Sequence, residues 1–370
     1  MYLQWPRNPD EDGVELTTKD GISMQAPCDR HAVTNVRLVR FLVQAVQVGL
    51  CDSVRIENVT IEDPGWYGLN LSANATNAEV SRSSIDGAQS VGLYMASTGL
   101  RANLVNVSNT CMVEGYGVPA GMNGGADIGI DSGAFAQVTD CRVVYSGYHG
   151  ISMGSNSVYR RNFVNHVVQR GNDGGGFYQW SNNPPYDGGN LTLEDNIVLN
   201  ALGNVTAMPP NSVPWGRNIY TDDRIHDVTI SGNTLARSNN LCLFIHGGYN
   251  ITATGNTMFD CKDAAVGLQD EVDEPVRHTH LEANGMFTFG DATDDNGSPV
   301  PLQMTSANNL SNFDFGTELG NYFYSPYSNV LARRRIVDFR FPYRGPIRLY
   351  DATQWSHEWE HGDPAPIVAP

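Results

Sequence analysis

The chain has 370 residues, with 23 Lys+Arg against 40 Asp+Glu and a formal charge of −17. With 41% hydrophobic and 17% charged residues it has the composition of a folded chain, long enough to bury one large core. The acidic balance excludes a general nucleic-acid binder, which needs clustered Lys and Arg, and disfavours a polyanionic ligand unless a metal or local basic patch bridges the repulsion.

Residues 1–25 are polar and contain proline, and read as a lead-in or cap. Met1 to Pro6 runs directly into Asp10-Glu11-Asp12, so no leader peptide is visible. The longest apolar stretch, residues 41–50, is interrupted by Gln44 and Gln47 and is too short to span a bilayer. Asn-x-Ser/Thr triplets at Asn58, Asn70, Asn74, Asn106, Asn190, Asn204, Asn250 and Asn309 favour a secreted or periplasmic chain over a cytoplasmic one.

From residue 26 to about 310 a pattern repeats. A β-branched run, a small polar residue, a second apolar run and a glycine-led strand recur roughly every 20 to 25 residues, with insertions. Val54 to Ile61 leads to Gly68-Leu69-Asn70-Leu71. Val228 to Asn233 leads to Leu243-Phe244-Ile245. No stretch keeps a 3.6-residue apolar period for three turns, so the segments are strands. A strand-turn unit this short cannot bury its inner face alone, and successive units must stack. The prediction is an all-β solenoid of parallel strands. Asn58, Asn162, Asn196, Asn233, Asn256 and Asn284 stand at equivalent turns, where they would form a ladder from coil to coil in the left-handed turn conformation. Beyond about 310 the repeat fades. Residues 311–370, with Arg333-Arg334-Arg335, read as a tail packed on the solenoid and capping it.

Residues 174–178 (Gly-Gly-Gly-Phe-Tyr), 218–223 (Asn-Ile-Tyr-Thr-Asp-Asp) and 228–233 (Val-Thr-Ile-Ser-Gly-Asn) resemble the right-handed parallel β-helix, or pectin-lyase-like, superfamily of carbohydrate-active proteins. Within it they are similar to glycoside hydrolase family 141 and its uncharacterised relatives. The flanks, residues 2–6 and 349–355, resemble those of such domains. The resemblance implies a right-handed β-helix and a plant or algal glycan of xylan- or fucoside-like type as substrate.

Aligning the third strand of each coil on its inward residue (Leu69, Leu93, Ile128, Ile151, Phe177, Ile219, Leu243, Val266) gives outward rows by alternation. One row reads Asn70, Tyr94, Gly129, Ser152, Tyr178, Tyr220, Phe244, Gly267. The next reads Ser72, Ala96, Asp131, Gly154, Trp180, Asp222, His246, Gln269, and the row before contains Asp127. Acids and aromatics therefore gather on the outer face of the middle coils. Glycoside cleavage needs one protonated and one ionised carboxyl. The candidate catalytic residues are Asp131, Asp173, Asp222, Asp223, His149 and His246, with Asp187 as a further acid. Asp222 and Asp223 would point to opposite faces of a strand unless a turn intervenes. Asp127, Tyr178, Trp180, Tyr220 and Arg224 are the candidate substrate contacts, aromatic faces being suited to sugar rings. The alternative is that the Pro-rich insertion 182–186 or the 203–217 loop covers that aromatic face.

No metal ligand set with zinc or EF-hand spacing occurs, and no cofactor is required. Ca²⁺ is possible through Asp222, Asp223, Asp270 and Glu271. The leading reading is a glycoside hydrolase acting on a polysaccharide or oligosaccharide. A polysaccharide lyase or epimerase on a uronate polymer, with Ca²⁺, Lys262, Arg217 and Arg224, is the second. A non-catalytic extracellular glycan-binding or structural protein is the third. The expected partner is a glycan, not nucleic acid or membrane, for a monomer or simple homo-oligomer. Cys28/Cys51, Cys111/Cys141 and Cys242/Cys261 are placed to meet between neighbouring coils, as disulfides or as stacked thiols.

Overall fold

The computed structural model describes residues 20–25, 28–113, 126–181, 188–206, 208–270, 275–289, 299–306, 315–336, 347–351, 354 and 367–368. Among them the chain is built of strands, nearly all paired in parallel with the equivalent strand of the next coil. Each coil has three faces. Tyr67–Leu71, Glu79–Ser81 and Ser84–Asp86 make one coil, and Val91–Met95, Arg101–Asn103 and Asn106–Thr110 stack on them residue for residue. Among the described residues no helix is long and apolar enough to cross a membrane.

The interior is a set of apolar stacks. Leu69, Leu93, Ile130, Ile151, Phe177, Ile219, Leu243, Val266 and Leu302 succeed one another in register and are fully buried. One coil departs from the predicted alignment: Ile130, not Ile128, is the partner of Leu93 and Ile151. A slip of two keeps the faces but moves Asp131 from the Trp180–Asp222 row into the row of Tyr94, Ser152 and Tyr178.

The row ahead of the inward residue is not outward. Gly92, Gly129, Gly150 and Gly176 lie at the corner where the chain enters this face, and a Cβ on Gly150 would stand 2.5 Å from Val164 Cγ1 and 2.6 Å from the Gly176 carbonyl. Two successive inward residues fit because the first has no side chain. Later coils fill that corner with buried Asn218 and with Cys242, which is disulfide-bonded to Cys261. Cys28 and Cys51 form a second disulfide, and Cys111 and Cys141 are buried thiols.

The asparagine ladder forms, with a shift. Asn162, Asn196, Asn233, Asn256, Asn284 and Asn321 each offer a side-chain oxygen to the backbone N–H of the preceding coil, at 2.9–3.0 Å. Their amide groups bond one another at 2.8–3.0 Å. The left-handed residue is the one before each ladder Asn: Arg161, Asp195, Gly232, Gly255, Ala283 and Gly320. The Gly-Asn-Thr phrase is thus a corner code: Gly takes the left-handed turn, Asn bridges the coils and Thr begins the next strand. Asn58 occupies the left-handed position, exposed, and pairs with Asn35 instead of joining the ladder. Parallel stacking continues past position 310: Gly316–Leu319, Tyr322–Tyr324 and Ala332–Ile336 each pair with the coil before. Alternation there is masked by Arg333, which is buried and ion-paired with Asp263.

Candidate active site

The outer face of the middle coils gathers the candidate residues on Gly174–Trp180, Gly216–Ser231 and Leu241–Thr254. The register is Tyr178↔Tyr220↔Phe244 and Trp180↔Asp222↔His246↔Gln269. After Asp222 the pairing with the next coil is interrupted until Ile225, and both Asp223 and Arg224 have left-handed backbone, with φ of 36° and 57°. This bulge defeats strict alternation. Two adjacent aspartates that a regular strand would send to opposite faces both reach His246.

The bonds there are short and specific. His246 Nδ1 lies 2.6 Å from Asp222 Oδ1 and 3.4 Å from Asp223 Oδ1. The Tyr178 hydroxyl donates to Asp222 Oδ2 at 2.9 Å, and the Trp180 indole N–H donates to Asp223 Oδ2 at 2.9 Å. Gln269 Nε2 stands 3.1 Å from His246 Nε2. One donor atom from each of Asp222, Asp223 and His246 falls within 4.8 Å of the others. Burial, with the Asp222 charge second, pushes the Tyr178 hydroxyl far up, so it stays a donor. Gln269 sits in the predicted outward row, one coil beyond His246; its place in the row is the signal that marks it as part of the cluster.

A second group lies toward the start of the same strands. Arg217 is buried and pairs with Asp173 and, at 3.1 Å, with Asn240 Oδ1. Its guanidinium covers the Tyr220 ring at 4.3 Å and the Phe244 ring at 4.6 Å. Tyr220, which also packs with Leu241, Phe244, Ala264 and Val300, is 3% exposed, so its ring is covered rather than open. Asp173 is therefore an ion-pair partner. Trp180, 48% exposed, is the aromatic left open at the site.

The other candidates lie apart. His149 is buried between Tyr148 (ring centroids 3.8 Å) and Tyr178 (4.0 Å), accepts the Gly175 N–H on Nδ1 at 3.2 Å, and is held neutral by burial, which pushes its pKa down to about 3. It braces Tyr178 from behind and does not line the surface. Asp131 is on the outer face but three coils from Asp222, roughly 14 Å at 4.8 Å per coil. Burial raises its pKa. Asp127 is 1% exposed, with left-handed backbone at the corner, and does not reach the groove. Arg224 lies in the bulge, half-buried. The oxygen set proposed for Ca²⁺ is not assembled: Asp270 is buried, and its carboxylate takes the Val276 N–H at 2.7 Å and the Ser306 hydroxyl at 3.2 Å. Glu271, Asp187 and the 182–186 insertion lie outside the described residues.

No family model matches the chain, and no curated protein sequence does. Solved structures do. PfbA, a surface adhesin of Streptococcus pneumoniae, superposes with a TM-score of 0.58 at 10% identity, over 87% of this chain and 90% of that one. The Dettilon tailspike protein gives 0.52 at 11% identity, over 86% and 62%. The tailspike protein of E. coli bacteriophage HK620, in complex with a pentasaccharide, gives 0.51 at 12% identity, over 82% and 60%. The fold is a right-handed parallel β-helix. It is the fold the pectin-lyase-like resemblance implies, while the family 141 resemblance rests on the sequence phrases alone. The chain spans about six-tenths of the two tailspike chains and nine-tenths of the adhesin.

Proposed function

We propose that this β-helix is an extracellular glycan-active enzyme, a glycoside hydrolase whose carboxyl pair is Asp222 and Asp223. The observation that carries the reading is the convergence of two carboxylates within 4.8 Å on the outer face, beside an exposed tryptophan. Asp222 is bonded on one oxygen to the Tyr178 hydroxyl and on the other to His246, which hold its carboxylate in place on the outer face. Asp223 is more exposed than Asp222, so it is the carboxyl within reach of a leaving oxygen at the surface. So short a separation fits the retaining geometry, with carboxyls about 5–5.5 Å apart, better than the inverting one at about 6.5–9.5 Å. Asp222 is then the nucleophile and Asp223 the acid, then the base. Trp180 supplies a face for a sugar ring. The two disulfides suit the oxidising surroundings of a secreted protein, and the glycan-bound tailspike is a precedent for a saccharide on this fold.

The test is a panel of neutral and acidic glycans with mass analysis of the products. Hydrolysis adds one water per cut, and Asp222→Asn and Asp223→Asn each lose at least 100-fold while Asp131→Asn keeps turnover. Unsaturated products would replace this reading with a lyase. No product from any glycan, with oligosaccharide still bound, would replace it with the binding protein that the adhesin's likeness also fits.

A further inference from the structure

We infer that Asp222, Asp223 and His246 form a binding site for one divalent transition ion of the Zn²⁺ type. The inference rests on the geometry of the three side chains and not on the hydrolase reading.

Nearby acids alone would not suggest a metal. The donor set here is mixed and oriented. Each of the three side chains uses one heteroatom for an outer hydrogen bond and turns the other to a common point. Asp222 gives Oδ2 to Tyr178 and Oδ1 to the centre; Asp223 gives Oδ2 to Trp180 and Oδ1 to the centre. His246 faces Gln269 with Nε2 and the carboxylates with Nδ1. Such outer partners fix ligating carboxylates and imidazoles in metal sites. If Nδ1 ligates, Nε2 carries the proton and needs an acceptor, which the Gln269 amide oxygen supplies once its amide is turned over.

The spacing fits as well. Ligands about 2.0–2.1 Å from a tetrahedral ion lie roughly 3.4 Å from one another. The Nδ1 to Asp223 Oδ1 distance is 3.4 Å. The 2.6 Å contact from Nδ1 to Asp222 Oδ1 is a hydrogen bond that lengthens by roughly 0.8 Å when the ion takes the place of the Nδ1 proton; the neutral ring changes tautomer, Nδ1 losing its proton to solvent and Nε2 taking one up from it. One imidazole nitrogen and two carboxylate oxygens suit Zn²⁺ or Mn²⁺. Ca²⁺ takes six to eight oxygens and is a poor fit.

Occupancy has a consequence for the proposed reaction. The ion would take the oxygens of both carboxylates, so the loaded protein would lack its acid and its nucleophile. Added Zn²⁺ would stop turnover by the carboxyl pair, and a chelator would restore it.

The experiment is calorimetric titration of the chelator-washed full chain with ZnCl₂, MnCl₂ and CaCl₂, alongside Co²⁺ absorption spectra. Expected are one Zn²⁺ per chain, weak or undetectable Ca²⁺ binding, and a Co²⁺ d–d band of low-coordinate type. His246→Gln and Asp223→Asn lower Zn²⁺ affinity by at least 100-fold, and Trp180→Phe, which keeps the packing but loses the N–H, by about tenfold. Circular dichroism of each variant confirms folding. The inference fails if stoichiometry is far below one, if Ca²⁺ binds as tightly as Zn²⁺, or if folded His246→Gln and Asp223→Asn bind Zn²⁺ as the parent does. These readouts need no turnover, so failure of the hydrolase reading would leave them standing.

Discussion

Asn233→Ala tests the ladder that holds the coils together. The Asn233 side-chain oxygen accepts the Asn196 backbone N–H at 2.9 Å and an Asn196 amide N–H at 2.9 Å, and its own amide donates to Asn256 Oδ1 and the Leu193 carbonyl. All three asparagines are buried. Truncation leaves Asn196 with two buried donors short of their acceptor. The Asn256 oxygen keeps the Asn233 backbone N–H, so its loss is partial. At about 1–3 kcal/mol for each buried donor left unsatisfied, the cost is about 2–6 kcal/mol, centred near 4. Asn106→Ala, exposed on a strand of the same solenoid, should stay within about 0.5 kcal/mol of the parent. Equilibrium urea unfolding followed by circular dichroism and tryptophan fluorescence measures both. A loss below about 1 kcal/mol for Asn233→Ala, or equal losses for the two variants, would refute the claim that the ladder carries stability.

Three further outcomes follow from particular contacts. Burial pushes His149 down to about 3 from an ordinary value near 6.5, so the unfolded chain binds the extra proton first; stability is intact above about pH 6.5 and falls as pH drops toward 3, by about 5 kcal/mol at most. His149→Phe, which keeps the ring stack, should flatten the slope between pH 6.5 and 4 in urea titrations, and an unchanged slope would show that other groups set it. Gly150→Ala should cost about 1–3 kcal/mol in the same assay, because its Cβ meets Val164 and the Gly176 carbonyl; Gly255→Ala meets nothing within 4 Å and should lose only the ~1 kcal/mol of a left-handed alanine. Trp180→Ala should weaken oligosaccharide binding 3- to 10-fold by calorimetry, the ~0.5–1.5 kcal/mol of one aromatic face, and unchanged affinity would move the sugar elsewhere on the surface.

The fold was legible in the sequence because it is written as repetition. Short alternating runs, glycine before the inward residue and Gly-Asn-Thr at the corner each recur with the coil, and each encodes one physical demand: a buried face, a corner without room for a side chain, and a left-handed step followed by an amide bridge. Reading the Asn itself as the left-handed residue misplaced Asn58 by one position, since Asn satisfies both demands and composition cannot separate them. The two-residue slip at Ile128/Ile130 arose because both are isoleucine with a glycine between, so alternation is satisfied either way.

The site was legible as a list and not as an arrangement. Asp222, Asp223, His246, Trp180 and Tyr178 stand out by residue type, and the register places four of them in two rows. That Asp223 joins them depends on a bulge, and nothing in Thr-Asp-Asp-Arg-Ile announces left-handed backbone at two successive residues. The same blindness placed Tyr220 at the surface, because alternation names the outer face but not what covers it: Arg217 on the same strand and Phe244 on the next coil. Repeats fix the outward rows. The departure from repeat at 222–225 selects which outward residues converge, and the Arg217 cover selects which stay closed. An insertion-free solenoid would spread these acids along its rows at coil spacing, each solvated by itself. Here one break in the ladder brings Asp223 to Asp222 and His246, which the register already pairs, and so gathers two carboxylates and an imidazole at one place on the outer face.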